Sequence, residues 1–354
     1  MSNTIILHFG SYLYGENDIV NLMQRSLARL PRVDLIAFDA RLYEANPSPY
    51  IRAEGRINWL RDELITDLID GHHPGVVICS AGGLSPSPSM HGYLQEKNIV
   101  RVGIALSDPD DFAERSRQFS PYFNLFYTNA IGSLQDYMEI GVRAKLLPFA
   151  ADPTFHRPLR VPNKADVVVV GGLRPERVHL MEAMRAADLK VRCYGEGWPV
   201  PAPEPATHLP GFPGRLFPKV AFRSGQERSG QPLSTEVHGE DHVLAINSGT
   251  VYLSFARTMA GFTNVKVGVF EAAACGACIL VQDFSEIVEY FEPGKEIVTY
   301  SSEADAVAKA RHLCRNRRKA RQIGRAARRR VLREHSWEHR WRNVLKDIED
   351  YQHS

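Results

Sequence analysis

The 354-residue sequence has no run of about 18 apolar residues, so no transmembrane helix is expected. Cysteine is scarce: five residues, odd in number and scattered, argue against a disulfide framework and fit a reducing cytoplasm. Cys275 and Cys278 match Cys-x-x-Cys, but Cys79, Cys193 and Cys314 supply no second pair for a zinc site. The pair spans a helix end and an apolar strand, and packing as small hydrophobes is expected. Charge of one sign is not in excess. Lys and Arg total 43 against 41 Asp and Glu, a net +2, so the whole molecule is no polyanion binder by charge alone. Residues 1–10 lack a basic region and a cleavage site, and read as a first strand rather than a signal peptide.

What is present is alternation. Strand patterns at 4–9, 33–38, 76–79, 100–104, 125–128 and 145–147 alternate with helical patterns at 18–30, 52–69, 90–97 and 131–140. A proline-rich and basic linker at 155–164 follows, and the alternation restarts. Strands are expected at 166–170, 191–194, 278–281 and 296–300, and helices at 175–187, 286–291, 303–316, 319–334 and from Ser336 to about 351. Residues 243–247 and 251–255 read as two strand-like segments about a Ser-Gly turn, and 199–214 is too rich in proline for regular structure. The chain is too long for one ordinary core. Such alternation predicts two Rossmann-like parallel-sheet domains, 1–152 and 153–335, with a terminal helix at 336–354. Functional loops then sit at the carboxyl ends of strands.

Residues 264–283 organise the second domain. They read as loop, short alanine-rich helix, glycine stop at Gly276 and buried strand. Lys266 and Gly268 lie at the helix start, where free N–H groups and the positive dipole end suit a phosphate. Glu271, one turn in, can accept from ribose hydroxyls. Gly171, Gly172, Arg174 and Arg177 follow the domain's first strand. Glycine lets a backbone approach a ligand, and arginine offers a planar fork to phosphate. Tyr194 and Gly195 open the next loop, which has no third glycine and is no dinucleotide fingerprint. In the first domain, Gly10 and Ser11 end the first strand, and Asp108 heads an Asp-Pro-Asp-Asp turn.

From Asn264 to Trp341 the sequence resembles the C-terminal domain of the CgeB-like glycosyltransferases, within the wider group 1 clan that includes retaining GT-B enzymes. The matching stretches are 269–276, the strand to Asp283, 286–291, 294–303 and 334–340. The first domain matches more weakly, at 107–111 and 146–153. The resemblance implies a GT-B fold, two such domains facing across a cleft. It implies transfer of a sugar from a nucleotide diphosphate sugar to an acceptor hydroxyl, with no metal required. Glu271 inherits the ribose, and Asn264, Val265 and Lys266 face the diphosphate. Arg174, then Arg177, neutralises the leaving group. Gly10, Ser11, Gly171, Gly172, Tyr194, Gly195, Thr250 and Arg257 line the donor site, and Asp108 is the candidate catalytic carboxylate. Thr263 stands where the clan's second glutamate would be. A nucleotide-sugar epimerase of the same fold, or a non-catalytic nucleotide-sugar-binding protein, stays open. So does the acceptor: a glycan, a lipid-linked glycan or a small molecule. The ten basic residues between Arg315 and Arg333 offer a peripheral membrane or polyanion contact to a cytoplasmic protein, against the plainer reading of solvated helix faces.

Overall fold

The computed structural model describes residues 3–11, 18–43, 58–82, 84–199, 235–258 and 260–354. The first part contains β1 (Thr4–Gly10), α1 (Ile19–Leu27), β2 (Val33–Asp39), β3 (Asn58–Trp59), α2 (Asp62–His72), β4 (Val76–Ser80) and β5 (Leu84–Ser85). It continues with α3 (Pro88–Glu96), β6 (Val100–Ala105), α4 (Arg117–Phe119), β7 (Leu125–Thr128), α5 (Ser133–Glu139) and β8 (Ala144–Leu146). A six-stranded sheet runs β2-β1-β4-β6-β7-β8, parallel throughout. All of β4 is buried, as a strand covered on both faces should be.

The second part contains β9 (Ala165–Val170), α6 (Pro175–Ala186), β10 (Val191–Tyr194), α7 (Glu240–Asn247), β11 (Gly249–Ser254) and α8 (Val267–Ala274). Then come β12 (Cys278–Gln282), β13 (Val298–Tyr300), α9 (Glu303–Arg315), α10 (Arg317–Glu334) and α11 (Trp337–Gln352). Its five strands run β10-β9-β11-β12-β13, also parallel. In each sheet the strand order reverses once, beside β1 in the first and beside β9 in the second. Such switch points open a crevice at the carboxyl ends of the strands.

Helix α11 joins the two halves. Ser336 caps it, with His339 completing a capping box. Trp341 and Val344 are buried in the same cluster as Leu22, Met23 and Leu27 of α1, and Trp341 Nε1 donates to Met23 O at 2.7 Å. Tyr127 Oη and Lys145 Nζ, from β7 and β8, both reach Asp347, at 2.7 and 2.6 Å. The terminal helix therefore packs on the first domain. Among the described residues no helix is long and apolar enough to cross a membrane.

Three segments differ from the sequence reading. Residues 243–247 belong to α7, not to a strand; Glu240 and Asp241 in its first turn favour the helix dipole over the local β-branched preference. In the predicted helix at 52–69, residues 58–59 instead pair with β5, and the helix starts at Asp62, where Asp62 and Glu63 occupy the first turn. The rest of that prediction, and most of 199–214, lie outside the described residues. The expected helix at 286–291 is a short 3-10 turn, Ser285–Glu289. Cys275 and Cys278 are buried and unbridged.

Candidate active site

The loops after β9 and β11 flank the switch point of the second sheet, and the β9 loop is closely built against the loop after β10. Gly171 sits at φ 141°. A Cβ on Gly195 would lie 2.5 Å from Gly171 C, so the β9 and β10 loops touch backbone to backbone. Gly171 N donates to Tyr194 O at 2.7 Å, and Trp198 Nε1 to Gly171 O at 2.8 Å. Arg174 follows as the residue ahead of α6, and Pro175 at the first helical position suits the missing donor there.

Arg177 is turned inward. Its Nη1 donates to Gly172 O at 2.6 Å, its guanidinium lies 5.0 Å from the Phe255 ring centre, and burial lowers its pKa. It shapes the glycine loop from beneath. Arg174, half-buried at the rim, is the arginine with access to a ligand.

Lys266 immediately precedes α8, whose start has no side-chain cap and no acidic residue in its first turn. Its ammonium makes no ion pair or hydrogen bond among the described residues. Burial, then the nearby charges of Arg174 and Arg177, lower its pKa to about 8, while Asp110 and Glu286 act the other way. Lys266 is thus a half-buried lysine with no direct ion pair, at an uncapped helix start with an arginine nearby, an arrangement whose chemistry suits an anion.

Asp108 is not placed to meet a substrate. It is 2 % exposed and accepts from Ser116 Oγ, Thr128 Oγ1 and Tyr137 Oη at 2.9, 2.8 and 2.6 Å. Its carbonyl accepts from Asn264 Nδ2 at 3.3 Å. Asp108 thus holds its loop in shape and ties it to the loop before α8. The carboxylates whose charges reach Lys266 are Asp110, two residues on, and Glu286, after β12. Glu286 Oε1 is enclosed without a hydrogen bond, and burial raises its pKa. Neither was singled out from the sequence; the Asp-Pro-Asp-Asp turn held the signal for Asp110.

The remaining candidates divide. Gly10 ends β1, facing Ser80 in register, and Ser11 follows it, while the neighbouring Tyr12 and Tyr14 lie outside the described residues. Val265 is core, and Arg257 is exposed in the loop after β11. Tyr194 Oη is enclosed without a partner. Thr250 lies at the amino end of the central strand β11, accepts from Asn163 Nδ2 at 2.8 Å, and does not join the others. Glu271 is 5 % exposed and lies between two imidazoles: His242 Nε2 is 3.2 Å from Oε2, and His156 Nε2 is 3.5 Å from Oε1. Burial works against its ionisation, and the imidazoles outweigh it, holding its pKa below the ordinary value. The donor atoms of these three side chains all lie within 4.8 Å of one another. Sequence reasoning missed this cluster, because its members are far apart along the chain.

Residues 174–346 match the family model described as glycosyl transferase-like. The matched part, just under half of the chain, carries Arg174, Lys266 and Glu271. No curated protein matches the chain. Sucrose-phosphate synthase from Thermosynechococcus elongatus is similar in structure, with a TM-score of 0.58 at 11 % identity over 99 % of this chain and 100 % of that one. HepE from Anabaena, in complex with UDP-glucose, scores 0.58 at 9 % identity over 98 % and 100 %. AviGT4, a glycosyltransferase involved in avilamycin A biosynthesis, scores 0.55 at 14 % identity over 99 % and 97 %. The fold is the GT-B arrangement of two parallel-sheet domains, as expected from the sequence.

Proposed function

We propose that this protein transfers a sugar from a nucleoside diphosphate sugar to an acceptor hydroxyl, as a member of the CgeB-like group. The observation that carries it is the unpaired Lys266 at the uncapped start of α8, beside Arg174, at the switch point of the second sheet. Structures of HepE with UDP-glucose, UDP, and UDP with glucose support a nucleotide sugar as the ligand class.

In this account the sugar C1–O bond to the diphosphate breaks and a C1–O bond to the acceptor forms. Lys266, Arg174 and the α8 N–H groups stabilise the charge that collects on the departing diphosphate, a task that would otherwise fall to a metal. Glu271 accepts from the ribose hydroxyls. Asp110, on the first domain, takes over the role first given to Asp108 and receives the acceptor proton. The exposed Arg317, Arg318, Lys319, Arg321, Arg325 and Arg329 of α10 are the proposed contact with an anionic membrane surface.

The test is incubation with a panel of nucleotide sugars, with and without candidate acceptors. Release of nucleoside diphosphate that depends on acceptor supports transfer. A new sugar nucleotide formed without acceptor points to epimerisation, and binding without turnover of any donor contradicts both.

A further inference from the structure

His156 stands on the segment between the two sheets. The turn that carries it closes through His156 N to Asp152 O at 2.7 Å and Phe155 N to Asp152 O at 3.1 Å. Asp152 also accepts from Thr154 N at 3.0 Å and Thr154 Oγ1 at 2.7 Å, so the turn is locally fixed. It is anchored on the first domain as well. Arg29, just past α1, donates to both oxygens of Asp152, at 2.9 and 3.2 Å, and reaches Glu338 of α11 at 3.2 Å. Arg25 of α1 lies over the Phe155 ring at 5.8 Å.

The other end of the turn points into the second domain. The His156 ring is fully buried, and neither of its nitrogens makes a hydrogen bond among the described residues. Nε2 faces Glu271 Oε1 at 3.5 Å, while His242 holds the other carboxylate oxygen. A buried polar ring is seldom left without a partner. The Asp152 backbone carbonyl lies close to the ring, and Glu271 is the nearest charged group that it faces. A small advance of either side chain turns this contact into a charge-assisted hydrogen bond.

We infer that His156 is a positioning residue for Glu271, and that the turn from Asp152 to His156 couples nucleotide binding to the placement of the first domain. This rests on the proposed nucleotide site of the second domain. The device is a single short turn with two anchors: an ion pair to Arg29, just past α1, on one side and an imidazole against the Glu271 carboxylate on the other. A shift of the first domain relative to the linker moves His156, and with it the orientation of Glu271. By reciprocity, a nucleotide that orders Glu271 favours one placement of the domain.

The test uses UDP as probe and calorimetry on the full chain, with melting temperature and circular dichroism as folding controls. His156→Leu keeps bulk and removes the donor; it should weaken UDP binding about tenfold. His156→Gln restores an N–H near the place of Nε2 and should bind within about threefold of wild type. Arg29→Met frees the turn without touching Glu271 and should weaken UDP binding about threefold. A merely structural histidine would lower the melting temperature in both His156 variants and leave UDP affinity of the folded protein unchanged. Wild-type affinity in His156→Leu overturns the inference. If that variant does not fold, wild-type affinity in Arg29→Met overturns the coupling. Stoichiometric metal in the purified wild type, lost in His156→Gln, also overturns it, by making the three side chains ligands. A wild type that binds no nucleoside diphosphate at all removes the nucleotide site itself, an outcome distinct from a wild type that binds alongside indifferent variants.

Discussion

Lys266 offers the sharpest electrostatic test. The substitution is Lys266→Met, which keeps the stem that packs at the start of α8 and removes the charge. A hydrogen bond to a charged group contributes about 1.5–3 kcal/mol, so loss of the ammonium should weaken binding of a nucleoside diphosphate by about 10- to 150-fold. The pKa supplies a second, independent signature. With a value of about 8 in the free protein, the ammonium is about nine-tenths protonated at pH 7 and about one-tenth at pH 9. The lowering arises from burial and from two arginines, and a bound diphosphate opposes both. Only the protonated form attracts the anion, so affinity is full below the free-protein pKa and is lost as pH rises through it. The fall between pH 7 and pH 9 should be about tenfold. Calorimetric titration with UDP across this range, in wild type and variant, measures both effects. The wild type should lose affinity above pH 8, and Lys266→Met should be weak and nearly flat. An equal pH slope in the two proteins, or a variant that binds like wild type, would refute the placement of the diphosphate at α8.

Three other outcomes follow from the geometry. Asp108→Ala strands three buried hydroxyls and should destabilise the fold by about 3 kcal/mol or more in urea unfolding, whereas Asp110→Asn should lower kcat with little change in melting temperature. A loss of kcat in Asp110→Asn no larger than that of a surface substitution would remove its catalytic role. Trp341→Ala empties a fully buried site between α11 and α1, and should cost about 3–5 kcal/mol in the same unfolding assay. Replacing Arg318, Arg321, Arg325 and Arg329 together by Glu should abolish sedimentation with vesicles rich in phosphatidylglycerol while leaving UDP affinity intact; unchanged sedimentation would return α10 to an ordinary solvated face.

The layered architecture was legible because buried parallel strands and their covering helices carry unlike periodicities. Residues 76–80 and 278–282 are short apolar runs with helical patterns beside them, and both are strands. Residues 243–247 misled because a short apolar segment suits a buried strand and a buried helix alike, and the acidic residues that start α7 lie just before it. In the site, Lys266 and Arg174 were found from local signals, a helix start and a glycine loop. Arg177 shares that local signal, yet its position one turn into α6 directs it to Gly172 and the Phe255 ring. Asp108 and Asp110 are equivalent as sequence; only the three hydroxyls from distant elements decide which one is internal. His156 lay in a stretch rich in proline and basic residues that read as plain linker. Its partner Glu271 is brought to it by the tertiary fold alone.

We propose that the second domain holds a nucleotide diphosphate sugar for transfer. The most direct measurement of this is acceptor-dependent release of nucleoside diphosphate, followed by mass spectrometry of the acceptor, in wild type and Lys266→Met. The acceptor should be heavier by one sugar residue for each diphosphate released, with the rate sharply reduced in the variant. Turnover of no nucleotide sugar across a full panel, or transfer at the same rate in both proteins, would contradict it.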